Sequence, residues 1–112
     1  MDAQHALADL IEISSQIEAA AIVDAAGEVV ASMLPGGARR DAVGALAGQL
    51  LAAAGTAGAG DPVQLEAATS EGSVFVVREG GRAIVAVTRP QPTVGLVFYD
   101  LKSALRSAGA AA

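Results

Sequence analysis

Few side chains in this chain can do chemistry. There is one histidine, His5, and no cysteine. Disulfides, thiolate nucleophiles and Cys-ligated zinc or iron–sulfur centres are thereby excluded. His5 falls in the first turn of an expected helix near the N-terminus, where chain ends are commonly mobile. No second histidine is available for a metal site, and no triad can form without His5. The acids Asp9, Glu12, Glu18, Asp24, Glu28, Asp41, Glu66 and Glu79 are scattered, with no tight cluster at metal-ligand spacing. A carboxylate pair would have to assemble in space, and nothing in the sequence calls for one.

Pro35-Gly36-Gly37-Ala38-Arg39-Arg40 invites a phosphate-binding reading, since glycines ahead of a helix can expose backbone N–H groups to an anion. It lacks the Walker lysine followed by Ser or Thr, so a plain loop is the better reading. Arg39 and Arg40 are more informative. They would occupy a first helical turn, where the macrodipole disfavours cations. A partner's carboxylate, or one across a subunit interface, would relieve that mismatch; ordinary solvated arginine is the competing reading. The chain is therefore expected to have no metal and no catalytic residue of its own, and not to be an enzyme.

The formal charge is −5 and the pI about 4.6. Phosphate backbones attract clustered Lys and Arg, so a nucleic-acid partner is not expected. An acidic surface still suits a basic protein partner. With no cysteine, no positively charged leader and no apolar run able to span a bilayer, a cytoplasmic protein without an integral membrane segment is expected. The 112 residues correspond to one domain, 1–112. Alanine is abundant, so helices cannot be assigned on alanine alone.

The elements that would position these residues follow from periodicity. Asp2–Ser14 reads as a helix capped by Asp2, with Ala3, Ala6, Leu7, Leu10, Ile11 and Ser14 on one stripe. Ile17–Asp24 and Glu28–Leu34 form a hairpin turned by Ala25-Ala26-Gly27; its shorter second strand suits an edge. A middle helix is expected from about Ala38 to Ala54, bearing Val43, Leu46, Leu50 and Leu51. Gly44 and Gly48 lie four apart on it, where a second backbone could come close; neutral drift is the alternative. Residues 55–62 then read as a flexible connection.

Val63–Thr88 is a three-stranded meander. Val63–Ser70 alternates, with Val63, Leu65, Ala67 and Thr69 on one face and Gln64, Glu66, Ala68 and Ser70 on the other. Glu71-Gly72 is expected to turn it into Ser73–Arg78. Gly80-Gly81 leads on to Arg82–Thr88. A last helix should follow Arg89-Pro90-Gln91-Pro92-Thr93, with Pro92 in its first turn, and run to about Ser107 before a frayed tail. Val94, Val97, Phe98, Leu101, Ala104 and Leu105 would be its buried stripe. Leu96 and Tyr99 lie off it, with Tyr99 either a partner contact or a second core contact.

The order is helix, two strands, helix, three strands, helix: an α/β sandwich with a five-stranded antiparallel sheet and helices on both faces. If the first and last helices share one face, a single small-residue helix must cover the other, and Val63–Ser70 is left as a bare edge. A two-fold dimer pairing that strand with its copy, and packing the middle helices together, would mend both shortfalls. The candidate partner or dimer surface is thus Arg39, Arg40, Val43, Gly44, Leu46, Gly48 and Leu65. A charged or twisted monomer edge is the alternative.

In these elements the sequence resembles the Roadblock/LC7 family. The likeness rests on Ala20-Ala21-Ile22-Val23-Asp24 with Gly27-Glu28-Val29-Val30-Ala31-Ser32, on Val63-Gln64-Leu65-Glu66, on Ser73-Val74-Phe75-Val76-Val77-Arg78 and on Gly95-Leu96-Val97-Phe98-Tyr99-Asp100-Leu101. Each motif is weak alone; their order and spacing are more specific, and together they cover nearly the whole chain. Many members enter the first strand through a Pro-Gly pair, where this chain has Ser15-Gln16-Ile17-Glu18. The resemblance implies a profilin-like sandwich, homodimers or heterodimers with a related chain, no cofactor, and a role as scaffold or regulator of small Ras-like GTPases or as a dynein light chain. Bacterial members of the gliding-motility type act as dimers on one small GTPase and speed its hydrolysis by arranging the GTPase's own residues. The competing functions are a small-molecule sensor module, for which there are few aromatics and no convergent polar residues, and a purely structural dimer in a larger complex.

Overall fold

The computed structural model describes residues 2–24, 28–33, 63–70, 72–79 and 81–110. Its elements are α1 (Ala3–Ile13), β1 (Ile17–Val23), β2 (Val29–Met33), β3 (Val63–Thr69), β4 (Gly72–Glu79), β5 (Arg82–Thr88) and α2 (Val94–Ala110). The five strands form one sheet in the order β2-β1-β5-β4-β3. Every neighbouring pair is antiparallel. This is the expected five-stranded antiparallel α/β architecture, with β2 and the half-polar β3 at its two edges. The middle helix expected near Ala38–Ala54 and its flanking loops lie outside the described residues.

Local chemistry sets the element boundaries. Asp2 has extended backbone angles and accepts a 2.8 Å hydrogen bond from the His5 N–H, so it caps α1 as its position suggested. The β1–β2 hairpin is closed by Asp24. Its N–H donates to the Glu28 carbonyl and its Oδ1 accepts from the Glu28 N–H, both at 3.0 Å. The register shifts between Ile22 and Val23, so Val30 is extra on β2 and forms a bulge in that edge strand. The β4–β5 hairpin pairs Glu79 with Arg82, and Gly81 has φ +81°, a conformation that glycine adopts without a Cβ clash.

Among the boundaries that differ from the sequence expectation, three change a residue's role. Gly72 is not a turn residue: it pairs with Thr69 and begins β4. Pro92 stands outside α2 rather than in its first turn. The helix begins at Val94, and the Val97 N–H bonds to the Thr93 carbonyl at 3.0 Å. The Gln16 side chain accepts from the Thr93 N–H and so holds the chain just ahead of the helix. At the other end α2 does not fray at Ser107 but continues to Ala110, and Ala108 is buried in the core. Ala108 lies seven residues beyond Leu101 on the same stripe, so apolar burial carries the helix onward.

Both described helices pack on one face of the sheet. Ala6, Leu7 and Leu10 of α1 and Val97, Leu101, Ala104, Leu105 and Ala108 of α2 close over Ile17, Ala20, Ile22, Ala31, Phe75, Val77, Ile84 and Ala86. Burying a large apolar side chain stabilises by about 1.5–3 kcal/mol. Phe75 is completely buried and meets Phe98 edge-to-face, with ring centroids 5.1 Å apart and an interplanar angle of 80°. Val94, expected in the core, is 38% exposed because it opens the first turn. The second sheet face buries Val23, Val63, Val74, Val76, Ala83, Val85 and Val87, with Ala19 and Leu65 packed against them. The central strands are therefore apolar on both sides, as their composition required.

Candidate interaction surface

The β3 edge is the described part of the surface singled out from the sequence. Val63 is buried, Leu65 and Ala67 are half-buried, and Gln64, Glu66 and Ala68 are exposed. The alternation follows from the two-residue period of a strand. Leu65 lies opposite Val76 and packs against the valine cluster of the second face. Among the described residues, β3 pairs only with β4, so its outer row of backbone N–H and C=O groups is paired with no described strand. Arg39, Arg40, Val43, Gly44, Leu46 and Gly48 lie outside the described residues.

The Asp2–His5 and Glu79–Arg106 pairs serve the fold. His5 donates its backbone N–H to Asp2, and its Nδ1 lies 3.5 Å from the same carboxylate. That backbone hydrogen bond holds the Asp2 carboxyl below its ordinary value. Both side chains are exposed, so the pair is a helix cap rather than an acid–base dyad. Glu79, at the end of β4, binds Arg106 of α2 through two hydrogen bonds of 2.9 and 3.2 Å. The Arg106 hydrogen bond, with smaller contributions from the charges of Arg106 and Lys102, lowers the Glu79 pKa. The same contact raises that of Arg106. Sequence reasoning misses this pair: its members are 27 residues apart, and only the crossing of α2 over β4 joins them. Among the described residues, no three or more His, Asp or Glu side chains gather as a metal site.

The remaining surface is apolar in places. Tyr99 is 68% exposed and Leu96 49% exposed on α2, so Tyr99 is not a second core contact. Val29 and Val30 of the bulged β2 edge are exposed as well. The Gln4 side chain donates to the Ser32 carbonyl on that strand at 3.2 Å. Such an array can bind another macromolecule by shape and charge. Among the described residues, no helix is long and apolar enough to cross a membrane.

No protein-family model and no curated protein sequence matches the chain. Solved structures do match its fold. A Roadblock/LC7 domain from Streptomyces avermitilis superposes with a TM-score of 0.74 at 18% identity, over 96% of this chain and 94% of that one. The gliding protein MglB of Thermus thermophilus superposes with a TM-score of 0.67 at 19% identity, over 95% of this chain and 84% of that one. An MglB structure described as having a tetrameric arrangement gives 0.67 at 18% identity, with the same coverage. The fold is thus that of Roadblock/LC7 domains, in agreement with the resemblance read from the sequence.

Proposed function

We propose that residues 1–112 form one Roadblock/LC7-type domain that works as a homodimer and as a regulator or scaffold for a small Ras-like GTPase. The observation that carries this reading is the likeness of fold to MglB proteins over 95% of the chain. The outer side of β3, paired with no described strand, is the supporting feature. Two copies related by a two-fold axis would pair β3 with β3 and extend the sheet. The partner surface then includes Leu65, with Arg39, Arg40, Val43, Gly44, Leu46 and Gly48 of the middle segment. The protein contributes no catalytic group and needs no cofactor. Any effect on hydrolysis comes from the GTPase conformation that it binds best. The proposed location is the cytoplasm, where such GTPases meet their regulators.

The test is to titrate the purified protein into the host's small Ras-like GTPases loaded with GDP or a GTP analogue, with its mass followed by light scattering. Nucleotide-dependent binding by a dimer supports the reading, and faster GTP turnover makes it a GTPase activator. Binding without faster turnover makes it a scaffold. No binding to any of these GTPases overturns the reading.

A further inference from the structure

The outward stripe of α2 takes no part in the apolar core, although its Arg106 reaches Glu79 at the end of β4. Leu96, Tyr99, Ser103 and Arg106 fall at i, i+3, i+7 and i+10, on one side of a helix. Val97, Leu101, Ala104, Leu105 and Ala108 occupy the opposite, buried side. Tyr99 is 68% exposed and the Arg106 side chain 66% exposed. The first half of this stripe is apolar, and its second half is Ser103 and the cationic Arg106. Lys102 flanks it, near enough for its charge to be felt at Glu79. Arg82 stands directly across the β4–β5 hairpin from Glu79, and directly opposed residues share a face of the sheet. In a chain with charge −5, Arg106 and Lys102 thus lie at one carboxylate beside an exposed tyrosine, and Arg82 shares that carboxylate's sheet face.

We propose that this face of α2, with Arg82 beside it, is a docking surface for an acidic, partly apolar segment of another protein. Leu96 and Tyr99 take the apolar side chains, and Lys102, Arg106 and Arg82 take the carboxylates. Tyrosine and arginine are the residue types that concentrate binding energy at protein interfaces. An anionic membrane fits less well. Surface recognition of that kind uses clusters of about four to eight Lys or Arg, whereas here Glu79 and Asp100 interrupt a smaller set and the whole chain is repelled. A second copy of this chain also fits less well, because a two-fold contact would set the same cations against each other. The face lies over β4 and β5 and is separate from the β3 edge, so the inference does not rest on the GTPase reading.

The test uses the full ¹⁵N-labelled chain and a synthetic amphipathic peptide with Leu and Glu on one helical face, at low and at high salt. Amide shifts should move at Leu96, Tyr99, Lys102, Arg106 and Arg82. Binding should weaken with salt and fall about tenfold in Tyr99→Ala and in the Lys102→Gln/Arg106→Gln double variant. Each variant's melting temperature and amide spectrum establish that it is folded. If loss of the Glu79 pair disturbs the double variant, Tyr99→Ala and Lys102→Gln alone carry the test. Any one of several results would overturn the inference: no shifts on this face, equal binding of a Lys-for-Glu peptide, stronger association with phosphatidylserine vesicles than with the peptide, or a self-association that Tyr99→Ala abolishes.

Discussion

Ser14 shows how a single buried atom can set a measurable term. It is 4% exposed, and its Oγ has no hydrogen-bond partner among the described residues. A buried hydroxyl left unpaired costs about 1–3 kcal/mol. Ser14→Ala should therefore be neutral or stabilising by up to about 1 kcal/mol, read as an unchanged or higher urea midpoint; a clear loss would show that the hydroxyl has a partner. Phe75 is the opposite case. It is fully enclosed between the sheet and Phe98, so Phe75→Ala should lose about 3–5 kcal/mol by equilibrium unfolding. At Gly81 the space around an added Cβ is open, but φ is +81°. Gly81→Ala should cost about 1–2 kcal/mol from the backbone alone, without changing the spectrum of the folded state.

Between elements, the Glu79–Arg106 pair ties α2 to the end of β4. The Arg106 hydrogen bond places the folded Glu79 pKa below its ordinary value of 4.5. A carboxylate lowered in this way stabilises the fold above its unfolded pKa and ceases to do so as pH falls through the lower, folded value. Arg106→Gln should thus melt slightly below the parent at neutral pH, and the gap should close below about pH 4.5. Because the pair is exposed, salt should shrink the same gap at neutral pH. The two sheet edges contrast in the same physical terms. β2 is short, bulged at Val30 and met by the Gln4 side chain, devices that discourage pairing with another chain. β3 is regular through seven consecutive pairs with β4.

For the molecule as a whole, the regular edge is where the proposed dimer forms. Leu65→Glu would place a charge against the valine cluster at that edge, and light scattering should then report a monomer where the parent is a dimer. A dimer unchanged by Leu65→Glu would move the interface away from β3.

Much of this fold was legible in the sequence, and the reason is local. Asp2 ahead of an apolar stripe predicts its own cap. The alternation of Val63–Ala67 against unbroken apolar runs in β4 and β5 separates an edge strand from central ones, because the strand period sends successive side chains to opposite faces. The ends of α2 were not legible. Thr93 is held by Gln16, 77 residues away, and Ala108 is secured by a core that no local window contains.

The candidate surface divides in the same way. Residue types and short-range periodicity are enough to show that catalytic and metal chemistry are poorly supplied, that the sheet has a half-polar strand, and that Tyr99 and Leu96 lie off a core stripe. It took the folded arrangement to make the half-polar strand an outer one, to pair Glu79 with Arg106, and to bring Lys102 near them. Charges roughly 20 or more residues apart become neighbours only through strand order and helix crossing, and those are set by packing the whole core at once.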